Sequence, residues 1–237
     1  WEETIPFSGE VEISGADEDM IPMVTVGLAH KDVEARPDYD GEMRELEAEA
    51  VLELDIKLYE EQQIQILSDL YATDREVIPV TADACFEQIL TKNSCKCRIA
   101  EKVSLDQNQR ILQICHSGGT VKIDEISIGE NQLIIDGAVE VSLLYLTSDD
   151  AAPIQSAVRM APFHCEAEAI GIKENSVYQV TSGLEQLSAV MAGGDSVEIK
   201  GTASFDILVL QPVCEAVVID VTEKPLDVKK LQEMPGI

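Results

Sequence analysis

The sequence predicts an all-β protein of mainly antiparallel sheets, organised as tandem β-sandwich-like domains built from repeated three-stranded meanders with few short helices. Three observations carry this expectation. First, Leu133–Leu146 alternates: Leu133, Ile135, Val139, Val141, Leu143 and Tyr145 fall on one side, with Gly137 among them. A period of two residues over this length defines a strand with one buried face, and a glycine inside it marks a bend, a bulge or a close backbone approach. Second, the same long amphipathic strand recurs at Leu46–Leu58 and Val197–Leu210, with Ala48 and Gly201 in the place of the first glycine. Fixed recurrence of one strand is an internal repeat. Third, the chain is 45% hydrophobic but only 4% aromatic, so aliphatic and small side chains must fill the core.

Taken in order, Ile5-Pro6-Phe7 and Gly9–Ile13 read as extended, and Ser14–Asp17 as a turn. Val24–Leu28 and Val33–Ala35 are short strands, and Arg36–Gly41 reverses the chain into Leu46–Leu58. Gln63–Tyr71 reads as a third strand. Residues 72–119 are the least regular: Phe86–Leu90 fits a helical turn or a strand, Ser94–Val103 a strand, and Gln107–Cys115 one or two helical turns. Ser117-Gly118-Gly119 reads as a breaker and a boundary. Val121–Ile128 forms a hairpin with Leu133–Leu146 through Gly129-Glu130-Asn131, where asparagine suits a positive φ. Ser148–Pro153 turns the chain into Ile154–Met160, and Ala161-Pro162-Phe163 leads on to His164–Ala169. Val177–Leu187 is the next strand and Ala192–Asp195 a turn. After Val197–Leu210, Pro212 interrupts before a last strand, Cys214–Val221. Asp227–Met234 reads as a short helix.

Meanders are thus expected at 22–71, 120–160 and 178–221, and residues 5–58 repeat the order of parts in 161–210. The expected division is a partial β domain at 1–78 without its N-terminal part, and a second β domain at 120–221. Between them, 79–119 is an irregular β and short-helix connection belonging to one of the two, and 222–237 is an exit linker. A start at Trp1 rather than Met implies that the sequence belongs to a longer chain.

The formal net charge of −28 opposes nucleic-acid binding, which needs clustered Lys and Arg, and opposes anionic membrane surfaces. No run of about 18 apolar residues spans a membrane. The six cysteines, Cys85, Cys95, Cys97, Cys115, Cys165 and Cys214, are expected mostly as thiols in a cytosolic setting, because the chain is too long for a disulfide-stapled scaffold. Cys95 and Cys97 are weak candidates for metal ligands: one strand face presents both, but zinc needs two more donors, sought at Cys85, Cys115 or His116. The adjacent pairs Cys115-His116 and His164-Cys165 point to opposite strand faces and make no ready dyad, while His30 stands alone and reads as a surface or turn residue. The acidic clusters at 17–19, 38–42 and 149–150 lack the spacing of a calcium loop and read as solvated turns. The Gly-rich, nucleophile-elbow and zincin motifs are absent from the sequence, so no catalytic residue and no cofactor is expected.

Residues 5–20 (IPFSGEVEISGADEDM), 46–58, 121–146 and 154–163 (IQSAVRMAPF) together resemble the SPOCS domain of clostridial SipL-type spore-coat morphogenetic proteins. The V-x-I-x-G strand pattern followed by Pro-Phe carries the likeness, and KPLDVKKLQEMPGI (224–237) resembles the linker to a LysM module. The resemblance implies a non-enzymatic scaffold in endospore coat assembly, in the mother-cell cytoplasm at the forespore surface. The partners it implies are proteins, among them the coat ATPase SpoIVA, contacted mainly through the LysM module, with self-association possible in principle. Peptidoglycan would be reached only through that module. The alternatives from the residues themselves are a glycan- or ligand-binding β module, and an enzyme or metal site built on Cys and His.

Overall fold

The computed structural model describes residues 5–73, 75–105, 110–193 and 196–222. Trp1, Gly194-Asp195, the helix expected at Asp227–Met234 and nearly all of the expected exit linker lie outside them. Eight strands follow in order: β1 Ile21–Pro37, β2 Met43–Tyr59, β3 Pro79–Ser104, β4 Ile111–Gly129, β5 Gln132–Thr147, β6 Ile154–Glu168, β7 Val177–Gly193 and β8 Ser196–Val221. Every strand pairing is antiparallel. The all-β expectation holds, but no helix occurs among the described residues.

The chain divides into two compact units, one ending at Gln65 and the other beginning at Ile66. The described part of the first contains the β1–β2 ribbon, in which Val26 pairs with Leu54 and Leu28 with Leu52. Its turn forms as the sequence suggests: the Asp38 carboxylate accepts the N–H groups of Asp40 and Glu42, and Gly41 takes φ 84°. The expected third strand, Gln63–Tyr71, is not a strand. Its Leu67 carbonyl instead accepts the N–H of Val218 near the end of β8, within the second unit.

The second unit holds two three-stranded sheets, ordered β4–β5–β6 and β3–β8–β7. Their inner faces share one core, to which β5 contributes Leu133, Ile135, Val139, Val141, Leu143 and Tyr145. From β8 come Val197, Ile199, Ala203, Phe205, Ile207 and Val209. The rings of Phe163 and Phe205 meet across the sandwich at 5.4 Å. The two long repeated strands of this unit are therefore the central strand of each sheet, which explains their strict alternation: each has a neighbour on both sides and a sheet opposite.

Four sequence expectations are corrected here. The described residues of 79–119 are not irregular; Pro79–Ser104 is β3 and the stretch from Ile111 onward is the first half of β4. Ile111–Cys115, expected to be helical, belongs to β4. Ser117-Gly118-Gly119 is no boundary but lies mid-strand, because a Cβ on Gly119 would sit 2.9 Å from Leu187 and 3.1 Å from Leu184 of β7. The glycine lets β4 approach the opposite sheet, and flexibility is not its role. Nor does Pro212 end a strand: β8 runs through it as one 26-residue strand. Pro212 lies just past the first pairing of β7, Val177 with Leu210, where β8 has a free edge and a missing donor costs little. The third meander is accordingly β7–β8 completed by β3 from earlier in the chain, and Cys214–Val221 is the tail of β8, paired with β3.

The β4–β5 hairpin closes on Glu130-Asn131, with Asn131 at φ 58°. Its carbonyl accepts the N–H of Ala169 and its side-chain oxygen that of Gly171, so one residue both reverses the hairpin and anchors the segment after β6. Replacing Asn131 with Ala removes the side-chain bond and strains the left-handed backbone, for an expected loss of about 1–2 kcal/mol. Asn131→Gly, which relieves the strain, should cost less; urea denaturation of the two variants checks the order.

Candidate functional site

The cysteines gather on β3 and its neighbours. Cys85 and Cys214 are directly opposed in the β3–β8 register and are joined in a disulfide, which corrects the expectation of thiols at these two positions. The pairing escaped the sequence because Cys85 lay in a stretch with no recognisable alternation. Cys95, Cys97, Cys115 and Cys165 are free.

Cys95 and Cys97 do share one face of β3, as expected from their spacing. They pair with Phe205 and Ala203 of β8, both fully buried, and so face the core. The side chain across from them is Cys165 of β6, whose sulfur lies 3.4 Å from that of Cys95. Cys97 donates to the His164 carbonyl at 3.5 Å. Burial pushes all three thiols up, Cys165 to about 12, with the hydrogen bond to Cys95 adding to it. Cys85, Cys115 and His116 do not join this group, and among the described residues no three His, Cys, Asp or Glu side chains are grouped to hold a metal ion. The partner of the Cys-x-Cys pair is thus a cysteine about 70 residues away, which only the packing of the two sheets reveals.

His164 and Cys165 point to opposite faces of β6, as neighbouring strand residues must. Outside, His164 Nδ1 lies 2.7 Å from Asp136 on β5 and Nε2 lies 3.6 Å from Glu166. The hydrogen bond and charge of Asp136 raise the imidazole above its ordinary range, and Glu166 adds to this. The folded chain therefore holds the proton more tightly than an unfolded one. Any stabilisation is fully present below about pH 6.5 and fades as pH rises through the folded value. In an NMR titration, Asp136→Asn should lower the His164 midpoint; equal midpoints in the two proteins would refute the pairing.

The acidic clusters serve their own turns. Asp17 accepts the N–H of Asp19, and Asp149 that of Ala151, as Asp38 does in the first unit. These are Asx turns, in which a short carboxylate replaces a missing backbone acceptor. The outer face of β4–β5–β6 adds an apolar strip: Leu144, Ile154, Val158 and Met160 are 40–64% exposed. Cross-strand pairing places Ser142 beside Val158 and Glu140 beside Met160, so small and acidic residues flank the strip. No helix of the described residues is long and apolar enough to cross a membrane.

Residues 110–192 match the family model described as the SipL SPOCS domain. This part of the chain is similar to a SPOCS domain. It spans β4–β5–β6 and all but the last residue of β7, and so supplies one whole sheet of the sandwich and an edge of the other. The resemblance seen at 121–146 and 154–163 falls inside the match, whereas 5–20 and 46–58 fall outside it. SipL-like SPOCS domains are related to sporulation and carry no known enzymatic activity. No curated protein and no solved structure matches the chain.

Proposed function

We propose that this protein is a non-enzymatic scaffold of endospore coat assembly, in which the SPOCS sandwich holds a rigid surface for protein partners. The family match over 110–192 is the observation that carries the reading. Its supporting feature is the outer strip of Leu144, Ile154, Val158 and Met160, because apolar side chains grouped on an exposed sheet face favour contact with another protein. The net charge of −28 directs that contact toward neutral or basic surfaces. The setting is the mother-cell cytoplasm at the forespore surface. The SpoIVA ATPase is the partner proposed by family likeness, reached mainly through a LysM module, with self-association as a second mode.

The test is a fluorescent fusion and a deletion in the sporulating cells that encode the protein. The fusion should ring the forespore, and the deletion should leave coat material misassembled or detached. A deletion strain with normal coats and full spore yield would overturn the proposal. In the same cells, Val158→Asp with Met160→Asp should weaken the ring without lowering the protein level.

A further inference from the structure

The three free thiols in the core lie where the edges of the two sheets run side by side. Asn93 Nδ2 of β3 donates to the Glu168 carbonyl of β6 at 3.2 Å, and Arg159 Nε of β6 donates to the Ser104 carbonyl of β3 at 3.2 Å. Between these stitches sits the contact of Cys95 with Cys165. The two strands belong to different sheets, and the described bonds between them use side chains. A covalent bond at this place would therefore join the two layers of the sandwich directly.

We propose that Cys95 and Cys165 form a redox-sensitive staple between the two sheets. The sulfurs stand 3.4 Å apart, and a disulfide needs about 2.05 Å, so a closure of roughly 1.4 Å suffices. Cys97 lies two residues along the same strand face and its thiol also interacts with Cys165, but its sulfur donates to the His164 carbonyl, whereas Cys95 makes the 3.4 Å sulfur–sulfur contact. Cys115 is exposed on β4 and stands apart.

A peroxide balances the step. The Cys95 sulfur, less buried than that of Cys165, attacks one peroxide oxygen; the O–O bond breaks, and Cys95 becomes a sulfenic acid as one water leaves. The Cys165 sulfur then attacks the Cys95 sulfur, the S–S bond forms, and the sulfenic oxygen departs with a proton as a second water. Two thiols lose two electrons and two protons, and one peroxide accepts them. Because burial holds both thiols protonated at neutral pH, the staple forms slowly and responds to sustained oxidation; its rate rises with pH.

The experiment uses the full chain carrying Cys115→Ser, which removes the exposed thiol. Untreated protein, which keeps the Cys85–Cys214 disulfide and has Cys95 and Cys165 as thiols, and protein treated with hydrogen peroxide are each unfolded, alkylated and digested with trypsin without reduction. Cleavage after Lys92, Lys96, Arg98, Arg159 and Lys173 puts Cys95 on peptide 93–96, Cys97 on 97–98 and Cys165 on 160–173, so each linkage has its own mass. The expected result is a 93–96/160–173 linked pair after oxidation, with a higher melting temperature than the untreated protein. A link from 97–98 to 160–173 overturns the assignment, as does a thiol content unchanged by the oxidant. A linked pair with no rise in melting temperature overturns the staple. The comparison rests on one protein in two redox states and does not require a core variant to fold.

Discussion

Gly137→Val should be among the most destabilising single substitutions in this protein, with an expected loss of about 3 kcal/mol. A Cβ built on Gly137 would stand 2.2 Å from the Lys122 carbonyl oxygen, 2.8 Å from the Phe163 ring and 3.1 Å from the Ile123 Cα. Two of these three neighbours are backbone atoms, which cannot swing aside. The cause lies in the adjacent strand: β4 carries a bulge between Ile123 and Glu125, directly beside the Gly137 pairing, and the bulged backbone occupies the space a side chain would need. On the other side, Phe163 of β6 pairs with Gly137 and lays its ring over the gap. Even Gly137→Ala should therefore be costly. Gly201 makes the contrast. It also faces a bulge, between Leu184 and Gln186 of β7, but its Cβ would lie 3.1 Å from the Gln186 carbonyl and farther from all else. Gly201→Ala should cost well under about 1 kcal/mol and Gly201→Val about 1–2 kcal/mol. Thermal melts of the four variants check the order. Equal losses at the two glycines would show that the bulges do not govern them.

The same bulges explain how much of the fold was legible. The central strands β5 and β8 were read because each is paired on both sides and covered on one face, so burial imposes strict alternation along them. β3 was legible only in pieces although it is as long as β8. It is an edge strand, half exposed along most of its length, and a bulge between Ile89 and Thr91 resets its alternation midway. A single-period reading therefore finds its second half, Ser94–Val103, as a strand, but its first half only as an extended Ile78–Ala82 and as a helical turn or strand at Phe86–Leu90. β4 fails for the same reason three times over, with irregularities at Ile111/Gln113, Ile114/His116 and Ile123/Glu125. Its glycine pair then reads as a break, whereas it is a site of close packing. The cysteine cluster was half legible: Cys95-x-Cys97 declared a shared face, but its partner is set by how the two sheets are laid together. Pairings between sheets leave no mark on local periodicity.

Phe205→Ala should cost about 3–5 kcal/mol, the range for emptying a fully enclosed aromatic site. Phe205 is the largest of the fully buried side chains. It sits on β8 between Cys95 of β3 and Ser182 of β7, with Phe163 reaching it from the other sheet. In a protein 4% aromatic, this pair is a large share of the ring surface available to hold the layers together. Its neighbours are held on strands and cannot collapse into the space, so the cavity persists and its full cost is felt. For a chain of this size the expected fall in melting temperature is roughly 6–20 °C. Phe163→Ala should cost less, because Phe163 is 7% exposed on an edge strand. The double variant isolates the contact itself: the two losses should fail to add by about 0.5–1.5 kcal/mol, the worth of a tilted aromatic pair. Strict additivity would mean that the rings touch without coupling and that each sheet is stabilised separately. Coupling would mean that the SPOCS sheet keeps its shape only while β8 is packed against it. The outer strip of Leu144, Ile154, Val158 and Met160 would then depend on an aromatic contact on the opposite face of its own sheet, and the proposed forespore localisation should fail for Phe205→Ala before the protein unfolds at growth temperature.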